Sequence, residues 1–125
     1  MRRDMDVIRR MALALEEPGD FGIGHLDGID DATFKTHARW LIEAGLAHGH
    51  IADSGTQSRT VPERVRLHVL TWAGCEFVQA VRDDTLWRKA KDHVIKPSAS
   101  WTFEVLLKYL RLEIGRHVPG LEQLL

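Results

Sequence analysis

Met5, Ile8, Met11, Ala12 and Leu15 recur at steps of three and four. That spacing puts them on one stripe and predicts a first helix from about Asp4 to Glu17, ended by Pro18-Gly19. The stretch "FGIGHL", Phe21 to Leu26, alternates apolar with small or polar residues and predicts a short extended segment. Asp30 or Asp31 then supplies an N-cap, and Phe34, Ala38, Leu41 and Ile42 form one face of a helix that Gly45 stops. A β-hairpin follows. Its strands are predicted at Ala47 to Ala52 and Arg64 to Leu70, the second with Val65, Leu67 and Val69 alternating onto one face. The connection "DSGTQSRTVPE" is polar and rich in turn formers, as a long loop would be.

Beyond the hairpin, Thr71 can cap a helix reaching about Val81, and Asp83 or Asp84 can start another through "RDDTLWRKAKDHV". Trp72 and Trp87 are expected to pin these helices to a core, and Cys75, within "WAGCEF", is expected to be a small buried thiol. "KPSAS" marks a linker at Lys96 to Ser100. The last helix is predicted from Trp101 to His117 and carries two apolar stripes. Phe103, Leu106, Leu107, Leu110 and Ile114 suit the chain's own core, whereas Trp101, Val105, Tyr109 and Leu112 suit a second copy.

The order helix, short strand, helix, hairpin, helices gives an α+β chain that is mostly α. It predicts a winged helix-turn-helix-like domain over residues 1–95, followed by a C-terminal helix region at 96–125 that packs on the core or forms an oligomer interface. The usual winged helix has three helices before its wing, the third lying in the DNA major groove. Here a single clear helix fits between Gly19 and the hairpin, so the missing one is either vestigial or replaced by a turn over Asp27 to Thr33.

Several stretches, in order, carry a resemblance: "MRRDMDVIRRM", "THARWLIEAGL", "LTWAGCEFVQAVRDDTLWRKAK" and the closing helix. Together they resemble a family of small bacterial and phage-borne proteins known only as a domain of unknown function. The likeness spans Met1 to about Gly115, and its most specific pieces are Thr71 to Phe77 and Arg82 to Trp87. The family resembles winged-helix proteins, and the helix ending in "AGL" is similar to the recognition helix of arsenic-repressor-like regulators. The resemblance implies a DNA-binding regulator, carried by a phage or mobile element, and it brings no catalytic or metal-binding residues with it. Cys75 stands where that family more usually has a histidine, so no role is carried over to that position.

Composition narrows this picture. The chain has 125 residues, 44% apolar and 28% charged, as an ordinary globular domain has. No apolar run approaches the roughly 20 residues that cross a bilayer, and the charged N-terminus has no apolar signal core, so a cytoplasmic protein without membrane contact is expected. A single cysteine excludes an internal disulfide and suits a reducing compartment. The net charge of −1 lowers the expectation of nucleic-acid binding unless basic residues are gathered on one face. Seven histidines can add positive charge at mildly acidic pH.

The candidate DNA contacts are Lys35, Thr36 and Arg39 on the outward face of the second helix, with Arg59, Arg64 and Arg66 on or beside the wing. His48, His50 and His68 are a weaker candidate for zinc or nickel, since one cross-strand register sets His50 opposite His68 and another sets His48 there. No carboxylate or cysteine near them in sequence completes a metal site, so no cofactor is expected. No Gly-rich phosphate loop, Cys-x-x-Cys or His-Glu-x-x-His is present, and no enzyme is expected. The leading expectation is a DNA-binding regulator acting as a homodimer. The alternatives are a winged-helix protein-interaction module without DNA activity and, more remotely, a metal-responsive sensor.

Overall fold

Asp4 begins the first helix, its carboxylate accepting the Asp6 backbone N–H at 2.9 Å. The computed structural model describes residues 1–53, 61–97 and 101–116. Helix α1 spans Met5–Ala14 and buries Met5, Val7, Ile8, Met11 and Ala12, so the stripe read from the sequence is the buried one. It ends three residues earlier than predicted, passing through tight turns to Glu17. After it, the chain meets the later hairpin at a single residue. Ile23 and Leu67 exchange both backbone hydrogen bonds, at 2.8 and 2.9 Å, as an antiparallel bridge.

A turn at residues 26–29 then leads into α2, Asp31–Glu43. The segment between the bridge and α2 holds no further helix, so of the two sequence alternatives the turn is the one adopted. Asp30 is the cap: its carboxylate accepts the Thr33 backbone N–H at 2.9 Å and the Thr33 hydroxyl at 2.7 Å. Those bonds hold the Asp30 carboxyl below the usual range for an aspartate.

Helix α2 is buried over a wider arc than the sequence stripe suggests. Phe34, Ala38 and Leu41 face inward as expected, but so do Thr36 and His37. The cause is the start of α1, which lies over that flank. The Asp4 N–H donates to His37 Nε2 at 2.9 Å, and His37 Nδ1 lies 2.8 Å from the Thr33 carbonyl. A carbonyl can only accept, so the proton sits on Nδ1 and the ring is the neutral tautomer. The imidazole thus ties α1 to α2 from inside.

Gly45, at φ 77°, turns the chain out of α2. Strands β1, Ala47–Ala52, and β2, Arg64–Leu70, form an antiparallel pair with the predicted limits. The expected alternation fails at one end. The register slips between His48 and Gly49, with His48 opposite Val69 and Gly49 opposite Leu67. His68 is the extra residue of this bulge. Val65 and Leu67 stay buried, whereas Val69 is 48% exposed.

Thr71 caps α3, Trp72–Val81, accepting the Gly74 backbone N–H through its hydroxyl, while its own N–H donates to the Leu46 carbonyl at 3.0 Å. Helix α3 turns Gly74, Phe77, Val78 and Val81 inward. Two expectations are overturned here. Trp72 is 83% exposed and does not anchor the core; its indole N–H donates to Glu76 at 2.7 Å. Cys75 is likewise exposed rather than buried. Positions 72, 75 and 76 share the face opposite the buried stripe, so one rotation of the helix explains both.

By chain contacts the residues group into two units, Met1–Val78 and Gln79–Leu125. The second holds α4, Asp84–Ala90, a π-helical turn at Lys91–Ile95, and α5, Phe103–Arg116. Asp83 caps α4 by accepting the Leu86 N–H. Trp87 is buried, as expected of an anchor, together with Ala90, Val94, Leu106 and Leu110. Helix α5 packs on α4 and the π turn. Of its first stripe, Leu106 and Leu110 are fully buried, while Phe103, Leu107 and Ile114 are half-buried. Of the second, Val105 and Leu112 are exposed, whereas Trp101 and Tyr109 are half-buried. The Tyr109 hydroxyl shares a 2.8 Å hydrogen bond with His93 Nδ1, and burial, helped by the nearby Glu113 charge, raises its pKa above the usual tyrosine value. The end of the predicted last helix, His117, and Pro119-Gly120 lie outside the described residues.

Candidate nucleic-acid interface

Strand β2 alternates, and that alternation sorts its side chains. Val65 and Leu67 go into the core, so Arg64, Arg66 and His68 are turned outward. His50 stands across from Arg66 in the ladder and shares its face. Lys35, in the second turn of α2, completes the group. Together with Gly24 and Val65, these side chains line one cleft of about 480 Å³. Among the described residues that line it there is no carboxylate. A chain of net charge −1 has therefore gathered three cations and two imidazoles around one hollow.

Two of the cations are held in place. Arg66 donates from Nη1 to the Phe21 carbonyl at 2.8 Å, and its guanidinium lies against Gly24, where a Cβ would stand 2.9 Å from Nη2. Glycine at 24 therefore makes room for the guanidinium. Lys35 Nζ lies 2.8 Å from Asp31 Oδ2, one turn back on the same helix. With Asp31 exposed, such a pair contributes little energy but sets where the ammonium points.

Not every predicted contact lies here. Thr36 is 6% exposed, with its hydroxyl turned inward and without a hydrogen-bond partner among the described atoms, so it cannot present a donor to DNA. Arg39 lines a separate hollow with Met1, Thr36, Trp40 and Glu43, and its Nε is bonded to Glu43 at 3.1 Å. Arg59 lies outside the described residues. The cleft thus collects Lys35, Arg64 and Arg66 from the predicted set and leaves Thr36 and Arg39 out of it.

The histidines take a different part from the one weighed for them as ligands. The bulge sets His48 opposite Val69 and His50 opposite Arg66, so neither of the two registers that would face His68 is adopted. Among the described residues no group of three or more His, Cys, Asp or Glu side chains could hold a metal ion. His50 and His68 nevertheless both line the basic cleft. The alternation of β2 that turns Arg64 and Arg66 outward puts His68 on the same face.

Elsewhere, Glu104, Leu107, Lys108, Arg111 and Leu112 line a hollow along α5, and Leu112 belongs to the predicted oligomer stripe. Among the described residues no helix is long and apolar enough to cross a membrane.

Comparison with known proteins gives two matches of relevance. The profile of the family "Hypothetical protein (DUF2513)" covers residues 2–100. An uncharacterised protein of Haemophilus influenzae is 28% identical over 110 residues, which cover 85% of this chain and 89% of the relative. No solved structure matches the chain.

Proposed function

The chain belongs to the DUF2513 family, and on that premise we propose that it binds nucleic acid through the cleft between the start of α2 and the hairpin. The observation that carries this reading is the segregation of charge: Lys35, Arg64, Arg66, His50 and His68 converge on one hollow in a chain that is otherwise slightly acidic. A concave site lined by one sign of charge focuses the field and attracts polyanions from solution. Phosphate contacts of this kind supply most of the affinity of non-specific nucleic-acid binding.

The element order supports a winged-helix-like frame for this contact. Helix α1, the Ile23 bridge, α2 and the hairpin keep the order of a winged-helix domain, with a turn where its middle helix would stand. In this proposal the hairpin does more of the work than the helix. The outward side of α2 carries Asp31 and Glu43, which bond to Lys35 and Arg39 and would repel a phosphate backbone. The reading is one of binding without catalysis or cofactor, by a cytosolic regulator. Its second copy would dock on α5, where Val105 and Leu112 remain exposed. A second reading, a protein-interaction module, draws on Trp72, whose indole stands 83% exposed at the start of α3.

Salt dependence tests the first reading. Each phosphate neutralised on duplex DNA contributes about 0.9 to the slope of log K against log salt. Replacing Lys35 and Arg64 together by alanine should lower that slope by about 2. No detectable binding of the unaltered protein to any oligonucleotide at about 50 mM salt, or an unchanged slope in the double variant, would overturn it.

A further inference from the structure

We propose that the cleft takes an unpaired nucleotide, with Phe21 as the platform on which the base stacks. The inference rests on the nucleic-acid reading above and narrows its ligand to single strands. Phe21 is 82% exposed, and it is bonded through its backbone to Arg66, one of the cations that line the hollow. Its own carbonyl accepts the Arg66 guanidinium at 2.8 Å, and Gly24, three residues on, lines the cleft itself.

The ring is held there by backbone. Ile23 is locked to Leu67 by two hydrogen bonds. Gly22 lies at φ 73°, where a Cβ would collide with the Leu67 carbonyl, so the chain can pass close over β2 only with glycine at this position. The bridge, the glycine and the Arg66 bond together fix residue 21 beside Arg66 while leaving its side chain in water. An apolar ring kept in solvent on a residue bonded to a guanidinium of the cleft matches the two surfaces of a nucleotide. The base offers a π face, and the phosphate offers charge. In single-strand binding sites, aromatic platforms and a positively charged groove act in that combination. A base paired within a duplex has both faces covered by its neighbours and cannot use the platform.

Binding of a single-stranded oligonucleotide, as DNA and as RNA, should be compared with the matching DNA duplex, using the full chain and its Phe21→Ala, Phe21→Trp and Phe21→Leu variants. Base–aromatic stacking is lost in Phe21→Ala, so single-strand affinity should fall about tenfold or more. Duplex affinity should change less than about twofold, because only phosphate contacts remain to it. Phe21→Trp should restore the affinity and Phe21→Leu should not, which separates stacking from mere apolar contact. The DNA and RNA strands tell which sugar the site prefers, and loss with either supports the platform. Since the side chain is exposed, unchanged melting temperatures are expected and check that the variants fold. If Phe21→Ala binds single strands as well as the unaltered protein, or weakens strand and duplex equally, the inference is overturned. The nucleic-acid reading stands in that case if Lys35→Ala with Arg64→Ala still weakens binding. If that pair changes nothing, both readings fall.

Discussion

Gly74→Ala should destabilise the protein by roughly 2 kcal/mol or more, although glycine to alanine inside a helix ordinarily stabilises by about 1 kcal/mol. The reversal follows from how closely α3 approaches the chain leaving α2. A Cβ on Gly74 would overlap the Leu46 carbonyl oxygen and stand 3.0 Å from the Leu46 carbonyl carbon and from Leu70 Cδ2. The oxygen is backbone and cannot rotate away as a side chain would. It also accepts the Thr71 N–H that precedes the helix. Relief of the overlap therefore requires the first turn of α3 to lift, which breaks that hydrogen bond and uncaps the helix. Urea unfolding monitored by circular dichroism gives the difference. Cys75→Ala, one position along on the exposed face, is the control and should lie within about 0.5 kcal/mol of the unaltered protein.

The second large effect concerns charge. Reversing Lys35 and Arg64 together, as Lys35→Glu with Arg64→Glu, should weaken nucleic-acid binding on the order of 100-fold at low salt, about a decade for each reversed contact. Alanine at these positions removes two attractions; glutamate adds two repulsions within a concave site, where fields are focused. Both side chains line the cleft but neither belongs to the buried core, so stability should change little. Lys108→Glu reverses a charge on the α5 hollow, at a residue that is not among those lining the cleft, and should leave affinity nearly unchanged. Fluorescence anisotropy with a labelled oligonucleotide measures all three. A loss in Lys108→Glu about half that of the double variant on a logarithmic scale, in step with the net charge each reverses, would mean that only overall charge matters.

Much of the fold could be read from local pattern because its causes are local. Asp4, Asp30, Thr71 and Asp83 each satisfy a helix start with their own side chains, and such caps are visible as residue types at the right place. The hairpin limits follow from period-two alternation bounded by polar residues. The failures share a different origin. Val69 leaves the core because one residue, His68, is extra in the ladder, and the register of two strands is a non-local property. Thr36 is covered because the start of α1 lies over α2, a contact 33 residues apart in the chain between Asp4 and His37. The sequence points Trp72 and Cys75 inward because "WAGCEFVQAV" is apolar nearly throughout and offers no single phase. The true stripe runs Gly74, Phe77, Val78, Val81, with spacing three, one, three, and it begins on a residue without a side chain.

The candidate site was legible in part for the same reasons. Arg64 and Arg66 are visible as the polar half of an alternating strand, and Lys35 as a cation about three turns before a glycine stop. His50 and His68 stand out in the sequence only as a remote metal candidate, whereas their neighbours in the cleft are cations. Nothing local in the sequence distinguishes Phe21, an exposed phenylalanine, from a buried one. The glycines at 22 and 24 were the available signal: two small residues in an extended segment indicate that another chain, or a guanidinium, passes close by.

The central claim is that nucleic acid sits in the cleft between α2 and the hairpin, and mapping amide chemical shifts of isotope-labelled protein during titration with an unlabelled oligonucleotide tests it most directly. The account predicts that the amides of Gly24, Lys35, His50, Arg64, Arg66 and His68 shift together, with a common affinity that weakens as salt is added. Shifts gathered on α5 around Lys108 and Arg111 with the cleft amides unmoved, or no shifts at low salt, would contradict it.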